Sequence, residues 1–128
     1  MKKILNFAKI FLMFKLIIIA IIQSGFLAVA QYYMKVGMDR VGEYSMTWSF
    51  FRSFLNWQLG LAALLYIIGM VIYMFMLKNY KLSVIYPLTS ISYIFTMLLA
   101  MFFLGEAIPI VRWVGVFFVM LGVGLIAR

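Results

Sequence analysis

The chain has 128 residues, of which 68% are hydrophobic, and it carries 11 basic and three acidic residues but no histidine or cysteine. A soluble domain contains only about 45–50% apolar residues, so this composition indicates a protein whose solvent is lipid. The missing residue types exclude disulfides, Cys/His metal sites and His or Cys catalysis.

The charged residues limit the function further. The three acids, Asp39, Glu43 and Glu106, all lie near predicted helix ends, which disfavours an active site built on paired carboxylates. The lysines and arginines stand at the ends of apolar runs, as is typical of topology signals and headgroup contacts rather than nucleic-acid binding. We therefore predict a membrane protein that is not an enzyme, binds no nucleic acid and uses no cofactor or metal.

Four apolar runs predict an all-α membrane protein, a four-transmembrane-helix bundle that forms a single transmembrane domain over residues 1–128. About 20 helical residues, rising about 1.5 Å each, cross the hydrocarbon core of about 30 Å. The predicted spans are residues 16–36, 57–77, 82–104 and 108–127, and the predicted interfacial segments are residues 1–15 and 45–56.

The distribution of basic residues predicts the orientation. Four spans place both ends of the chain on one side, which then carries seven basic residues against four on the other side. Basic residues favour the cytoplasmic side. We predict a multi-pass protein of the bacterial inner membrane whose N-terminus and C-terminus are both cytoplasmic.

Small and polar residues recur on one face of the first span. Ser24, Ala28, Gln31 and Lys35 follow helical spacing. Gln23 lies next to this face. Glutamine is costly in hydrocarbon unless it finds a partner, so a glutamine of this span is expected to make an interhelical hydrogen bond or a polar contact in a substrate path. The alternative of a cleavable signal peptide ending at 28–30 fits less well, because the apolar run is long and its polar residues keep helical spacing.

The third span carries two neighbouring stripes of hydroxyl groups. Tyr86, Ser90 and Tyr93 belong to one stripe, and Thr89 belongs to the next. Pro87 removes a helical hydrogen bond and is expected to kink the helix. Two interpretations are open: a wall for a polar headgroup, or hydroxyls that bond to their own helix and permit close packing.

The fourth span has almost no polar atoms. Gly115 and Gly122 share a face with Val119, and a groove of small residues lets another helix approach closely. This span is therefore predicted to be a packing or dimer helix. Arg112 opens the span near the same membrane surface as Lys35, where either residue would attract a phosphate or act as a topology marker.

The last two spans resemble the drug/metabolite transporter superfamily, of the EamA and small multidrug resistance type. The motifs that carry the resemblance are Tyr86-Pro87-x-x-Ser90, Gly105-Glu106-x-x-Pro109 and Arg112-x-x-Gly115. The resemblance implies a membrane-embedded glutamate in the first helix for small multidrug exporters, but that position falls at Leu27 here. The pattern is most similar to the aminoarabinose-phosphoundecaprenol flippase subunits (the ArnE and ArnF type).

This resemblance implies a flippase for a polyprenyl-phosphate-linked sugar or a related anionic lipid. It also implies a homodimer or a heterodimer with a related four-helix subunit, with Gly115 and Gly122 at the contact. A small multidrug or metabolite exporter and a non-transporting scaffold subunit are the alternatives. The candidate substrate-binding residues are Gln31, Lys35, Tyr86, Thr89, Ser90, Tyr93 and Arg112.

Overall fold

The computed structural model describes residues 1–41, 51–52 and 55–128. Four helical segments in this part of the chain are long and apolar enough to cross a membrane, and no strand occurs in it. The predicted all-α fold class with four membrane helices is thereby confirmed. The elements are α1 (Lys2–Asp39), α2 (Trp57–Asn79), α3 (Leu82–Leu88), a 3-10 turn (Thr89–Ile91), α4 (Ser92–Phe103) and α5 (Ile110–Ala127).

The helix α1 is one continuous element of 38 residues, which corresponds to about 57 Å and exceeds the bilayer core of about 30 Å. The sequence divided this region into an interfacial segment and a span, but Lys9 and Lys15 do not interrupt the helix, because lysine is a good helix former. Burial begins at Leu16, and residues 1–12 are all exposed. The first third of α1 therefore extends beyond the rest of the bundle. Most of the predicted interfacial segment at 45–56 lies outside the described residues.

The helices α1 and α2 pack side by side. On α1, the small residues Ala20, Ser24 and Ala28 follow one another at intervals of four and are all fully buried, so neighbouring helices can approach α1 closely. The two ends of the bundle are named here after α1, as the Lys15 end and the Lys35 end. A cluster of apolar side chains joins the helices near the Lys15 end: Leu16, Ala20, Met76, Ile85, Leu88 and Val123.

The third span changes geometry in its middle. Pro87 has no N–H to donate, and its ring crowds the carbonyl four residues earlier. The α-helix ends at Leu88, and Thr89–Ile91 continue as a 3-10 turn that packs against α1 and α5. The Thr89 hydroxyl donates to the Tyr86 carbonyl at 2.6 Å. The structure thus has an irregular segment where the sequence predicts a kink.

The end of α4 is shaped by Gly105. Its φ of 65° is left-handed, a conformation that glycine adopts without steric cost. The chain therefore turns back, and the Glu106 N–H donates to the Ala100 carbonyl at 3.1 Å. This hydrogen bond holds Glu106 next to the last turn of α4, at the Lys35 end of the bundle.

The helix α5 is the least buried of the four spans. It packs against α3 and the 3-10 turn, and Val123 is its one buried residue. Only 6% of its apolar stretch of 18 residues is buried within the chain. Most of the α5 surface, including the turn that carries Gly115, is left for lipid or for another helix.

Candidate functional site: a polar pocket around Gln31

Gln31 joins three helices. The Thr96 hydroxyl of α4 donates to Gln31 Oε1 of α1 at 3.0 Å, in a partly buried position. Tyr66 of α2 also lies within interaction distance of the Gln31 side chain. A glutamine in hydrocarbon needs such partners, and here neighbouring helices supply them. The interhelical hydrogen bond expected of a glutamine in the first span is thus present at Gln31, whereas Gln23 Oε1 has no partner among the described residues. Gln31 and Thr96 both line a small cavity.

The cavity, named here the Gln31 pocket, has a volume of about 150 Å³. Pockets that enclose drug-sized ligands are larger, about 300–1,000 Å³, so this one has room for a single polar group and not for a whole lipid-linked sugar. Its lining comes from α1, α4 and the turn after α4: Ala28, Gln31, Tyr32, Lys35, Thr96, Leu99, Ala100, Leu104 and Glu106.

Charges of both signs stand at the mouth of the Gln31 pocket. Lys35 Nζ lies 2.9 Å from Asp39 Oδ1, with 54% and 55% of the two side chains exposed. An exposed pair of this kind contributes only about 0–1 kcal/mol, so Lys35 remains able to exchange partners. Glu106 lines the same pocket. Lys35 and Glu106 therefore line the pocket, and Asp39 is bonded to Lys35 beside it. Of these three residues, the sequence analysis named only Lys35 as a candidate.

The hydroxyl stripe of the third span lies elsewhere. Tyr86 and Tyr93 are 70% and 54% exposed, and Thr89 and Ser90 are partly exposed. None of these four side chains lines the Gln31 pocket. Thr89 bonds to its own helix, as expected if it relieves an irregular backbone. Within one chain the structure separates this stripe from Gln31 and Lys35.

The candidate residues of the fourth span also lie outside the pocket. Arg112 is exposed in the first turn of α5, and Gly115 is exposed. A Cβ atom added to Gly115 or Gly122 would meet no other atom within 4 Å. Neither glycine is therefore used for close packing inside this chain, and both stay available to another helix.

A polar cluster at the Lys35 end was missed by sequence reasoning. Asn56 caps α2 by accepting from the Leu59 N–H at 3.0 Å, and its amide donates to the Gly37 carbonyl of α1 at 3.1 Å. Gln58 is 2% exposed. With the Gln58 amide oxygen facing Arg40, it accepts from the guanidinium at 2.8 Å. An asparagine directly before an apolar run is an N-cap signal that would have located part of this cluster.

Two buried polar atoms have no partner among the described residues. They are Gln23 Oε1 and Ser24 Oγ, whose residues are 5% and 0% exposed. Gln23 also lines a groove of about 340 Å³ with Leu27, Tyr66 and Tyr73. Burying a hydroxyl or amide without a hydrogen bond is unfavourable. The middle of α1 therefore carries unused hydrogen-bonding capacity.

The sequence is similar to that of flippase subunits. The probable 4-amino-4-deoxy-L-arabinose-phosphoundecaprenol flippase subunit ArnE of Photorhabdus laumondii is 37% identical over 75 residues, which cover 59% of this chain and 66% of that protein. The probable ArnF subunit of the same flippase in that organism is 36% identical over 83 residues, covering 63% and 64%. The ArnF subunit of Proteus mirabilis is 29% identical over 120 residues, covering 85% and 89%.

The matched region thus spans slightly less than two thirds of the first two relatives. No family model matches the chain, and no solved structure matches it. The resemblance to the EamA and small multidrug resistance superfamily stays a prediction, whereas the similarity to ArnE and ArnF subunits is a direct finding.

Proposed function

We propose that this chain is a subunit of a flippase that moves a polyprenyl-phosphate-linked sugar, or a related anionic lipid, across the bacterial inner membrane. It acts as a transporter and not as an enzyme, without a cofactor, and both of its ends face the cytoplasm. The observation that carries the proposal is the Gln31–Thr96 hydrogen bond, which holds polar groups of two membrane helices together in a partly buried position. The similarity to ArnE and ArnF flippase subunits supports it.

The chemistry of the Gln31 pocket suits a headgroup in transit. A sugar that leaves water must find replacement hydrogen bonds, and Gln31, Thr96 and Tyr66 supply both donors and acceptors without a charge. The polyprenyl chain needs no such partners and stays in lipid. No acid lies within the predicted spans, so a carboxylate proton carrier of the usual kind is not expected. Movement is then driven by consumption of the lipid on the far side.

The charges at the pocket mouth fit the two ends of such a headgroup. The substrate named for the relatives carries an amino sugar and a phosphate. Glu106 and Asp39 would receive the ammonium group, while Lys35 would exchange Asp39 for the phosphate. Arg112 provides a second cation at the same membrane surface. Because the Lys35–Asp39 pair is exposed and weak, breaking it for this exchange costs little free energy.

The small size of the Gln31 pocket indicates that two chains form the path together. The exposed stripe of Tyr86, Ser90 and Tyr93 would then face a second subunit, and the headgroup would pass between the chains. The open glycines of α5 would meet the partner's helix. The partner is a second copy of this chain or a related four-helix subunit, as the subunit names of the relatives suggest.

The test is transport of a short-chain polyprenyl-phosphate sugar into liposomes that contain the purified assembly. Gln31→Leu and Thr96→Val should each lower the initial rate about five- to thirtyfold, because the headgroup loses a hydrogen-bonding partner worth roughly 1–2 kcal/mol. Tyr66→Phe should lower it less. Tyr73→Phe removes a hydroxyl two turns further along the same helix, from the groove that Tyr66 also lines, and it serves as the matched control for the interaction of Tyr66 with Gln31.

Each outcome discriminates between functions. Normal assembly with slow transport in Gln31→Leu supports the flippase. Unchanged transport in both pocket variants would contradict it. A wild-type assembly that moves no lipid, together with pocket variants that fail to assemble, would favour a scaffold. Export of a cationic dye without lipid movement would favour a small-molecule exporter.

A further inference from the structure

A second cavity lies at the Lys15 end, where α1 extends beyond the bundle. It has a volume of about 540 Å³, which is within the range of pockets that hold small ligands. Three cations line it: Lys9 and Lys15 from α1, and Arg128 after the end of α5. Among the described residues no acidic side chain lines it. We name this cavity the basic cleft.

Among the described residues, no acidic side chain compensates the positive charge of the basic cleft. In the described part of the chain, the ion pair that forms is Lys35–Asp39. Asp39 stands at the far end of α1, 24 residues beyond Lys15, or about 36 Å along the helix. Glu106 is held at that same far end. Neither carboxylate can reach the cleft to neutralise it.

Part of the lining of the basic cleft is apolar. Leu12, Met13 and Phe75 line it together with the cations. Asn79 and Tyr80 add polar groups, and one Asn79 N–H is already used by the Phe75 carbonyl at 2.8 Å. A site that combines cations with apolar side chains is complementary to a lipid phosphate, whereas a small free anion would use only the cations.

The position along α1 agrees with such a ligand. Lys15 directly precedes Leu16, the first buried residue of the apolar core. Lys9 lies six residues earlier, about 9 Å along the axis. The cations therefore follow the zone where lipid headgroups meet the hydrocarbon, and lysine side chains at that depth extend their charge towards the headgroups.

We propose that the basic cleft formed by Lys9, Lys15 and Arg128 binds the phosphate headgroup of a membrane lipid. A phosphate monoester is preferred over a diester, because its second ionisation near pH 6 gives it close to two negative charges for three cations. The site is separate from the Gln31 pocket, and binding to it does not require transport.

The experiment measures lipid binding to the purified full chain by native mass spectrometry in neutral detergent. The probes are undecaprenyl phosphate, phosphatidylglycerol and diacylglycerol. The wild type should bind the first most tightly, the second more weakly and the third not at all. Each removed cation should weaken binding about fivefold, and the triple variant Lys9→Gln/Lys15→Gln/Arg128→Gln about a hundredfold.

The matched control is Lys2→Gln/Lys3→Gln/Lys81→Gln. It removes three charges from the same predicted side of the membrane but none from the cleft. Net charge and topology signals therefore change equally in the two triple variants. This control should weaken binding less than about fivefold, and Lys9→Arg/Lys15→Arg should retain binding. Equal loss in both triple variants, or loss in neither, would overturn the site.

Two further results identify the source of the phosphate. Tighter binding of phosphatidylglycerol than of undecaprenyl phosphate would overturn the monoester preference and assign the cleft to bulk phospholipid. Displacement of bound lipid by millimolar inorganic phosphate would overturn the lipid assignment, since the apolar lining residues would then contribute nothing to the affinity. Transport measured in the same triple variant separates this proposal from the flippase function, because the Gln31 pocket is left intact.

Discussion

Thr96 donates a hydrogen bond to Gln31 at 3.0 Å across 65 positions of sequence. The bond fixes α4 against α1 where neither side chain is fully exposed, so each satisfies the other. Because the turn that holds Glu106 directly follows α4, the same contact also positions Glu106 relative to Gln31.

Removing either partner of this bond should destabilise the bundle. Thr96→Val leaves Gln31 with Tyr66 alone, and we expect a loss of about 0.5–1.5 kcal/mol in the free energy of unfolding. The double variant Gln31→Leu/Thr96→Val should lose less than the sum of the two single variants. Unfolding in mixed micelles with increasing denaturing detergent measures all three. Strict additivity would show that the two side chains do not interact.

Gly37→Ala should weaken the contact between α1 and α2. A Cβ atom at residue 37 would lie 2.7 Å from Leu59 Cγ and 3.3 Å from the Leu59 backbone nitrogen. The side chain can rotate away, but the backbone must shift, so we expect a loss of about 1–3 kcal/mol. The matched control is Gly60→Ala, where a Cβ meets nothing within 4 Å. Thermal unfolding of the control should show equal or higher stability.

Asn56 should contribute to stability through two separate bonds. Asn56→Ala loses the cap on the Leu59 N–H and the donor to the Gly37 carbonyl, and we expect a loss of about 1–2 kcal/mol. Asn56→Asp keeps the cap acceptor and loses only the donor, so it should fall between the wild type and Asn56→Ala. Equal melting temperatures for Asn56→Ala and the wild type would contradict the role of this residue.

Ser24 offers the opposite case, because its buried hydroxyl has no partner among the described residues. Ser24→Ala should leave stability unchanged or raise it by up to about 1 kcal/mol. Ala20→Ser places a hydroxyl one turn earlier on the same buried face, and it should lower stability. Thermal unfolding compares the two variants. A marked loss of stability in Ser24→Ala would contradict this expectation.

The length of the apolar runs in the sequence was sufficient to predict the four spans, and periodicity predicted which residues share a helix face. It also grouped Ser24, Ala28 and Gln31 on the face of α1 that meets other helices. Periodicity does not reveal which face a neighbour covers, however. Tyr86 and Tyr93 are exposed in the single chain, so their place in a substrate path stays a prediction that depends on a second subunit.

Long-range contacts were beyond the reach of the sequence. The partners of Gln31 and Gly37 come from α4 and from the start of α2, and no local pattern connects them. The basic cleft escaped notice for the same reason. Lys9, Lys15 and Arg128 are brought together only because α1 continues as a helix past the bundle, next to the end of α5.

The 3-10 turn at Thr89–Ile91 joins two α-helices and differs from both in its rotation and rise per residue. A 3-10 helix advances about 120° and 2.0 Å per residue, whereas an α-helix advances about 100° and 1.5 Å. If these three residues adopted α geometry, α4 would rotate by about 60° against α3 and move about 1.5 Å closer to it. Thr96 would then move away from Gln31 and their hydrogen bond would break, so this bond opposes the rotation.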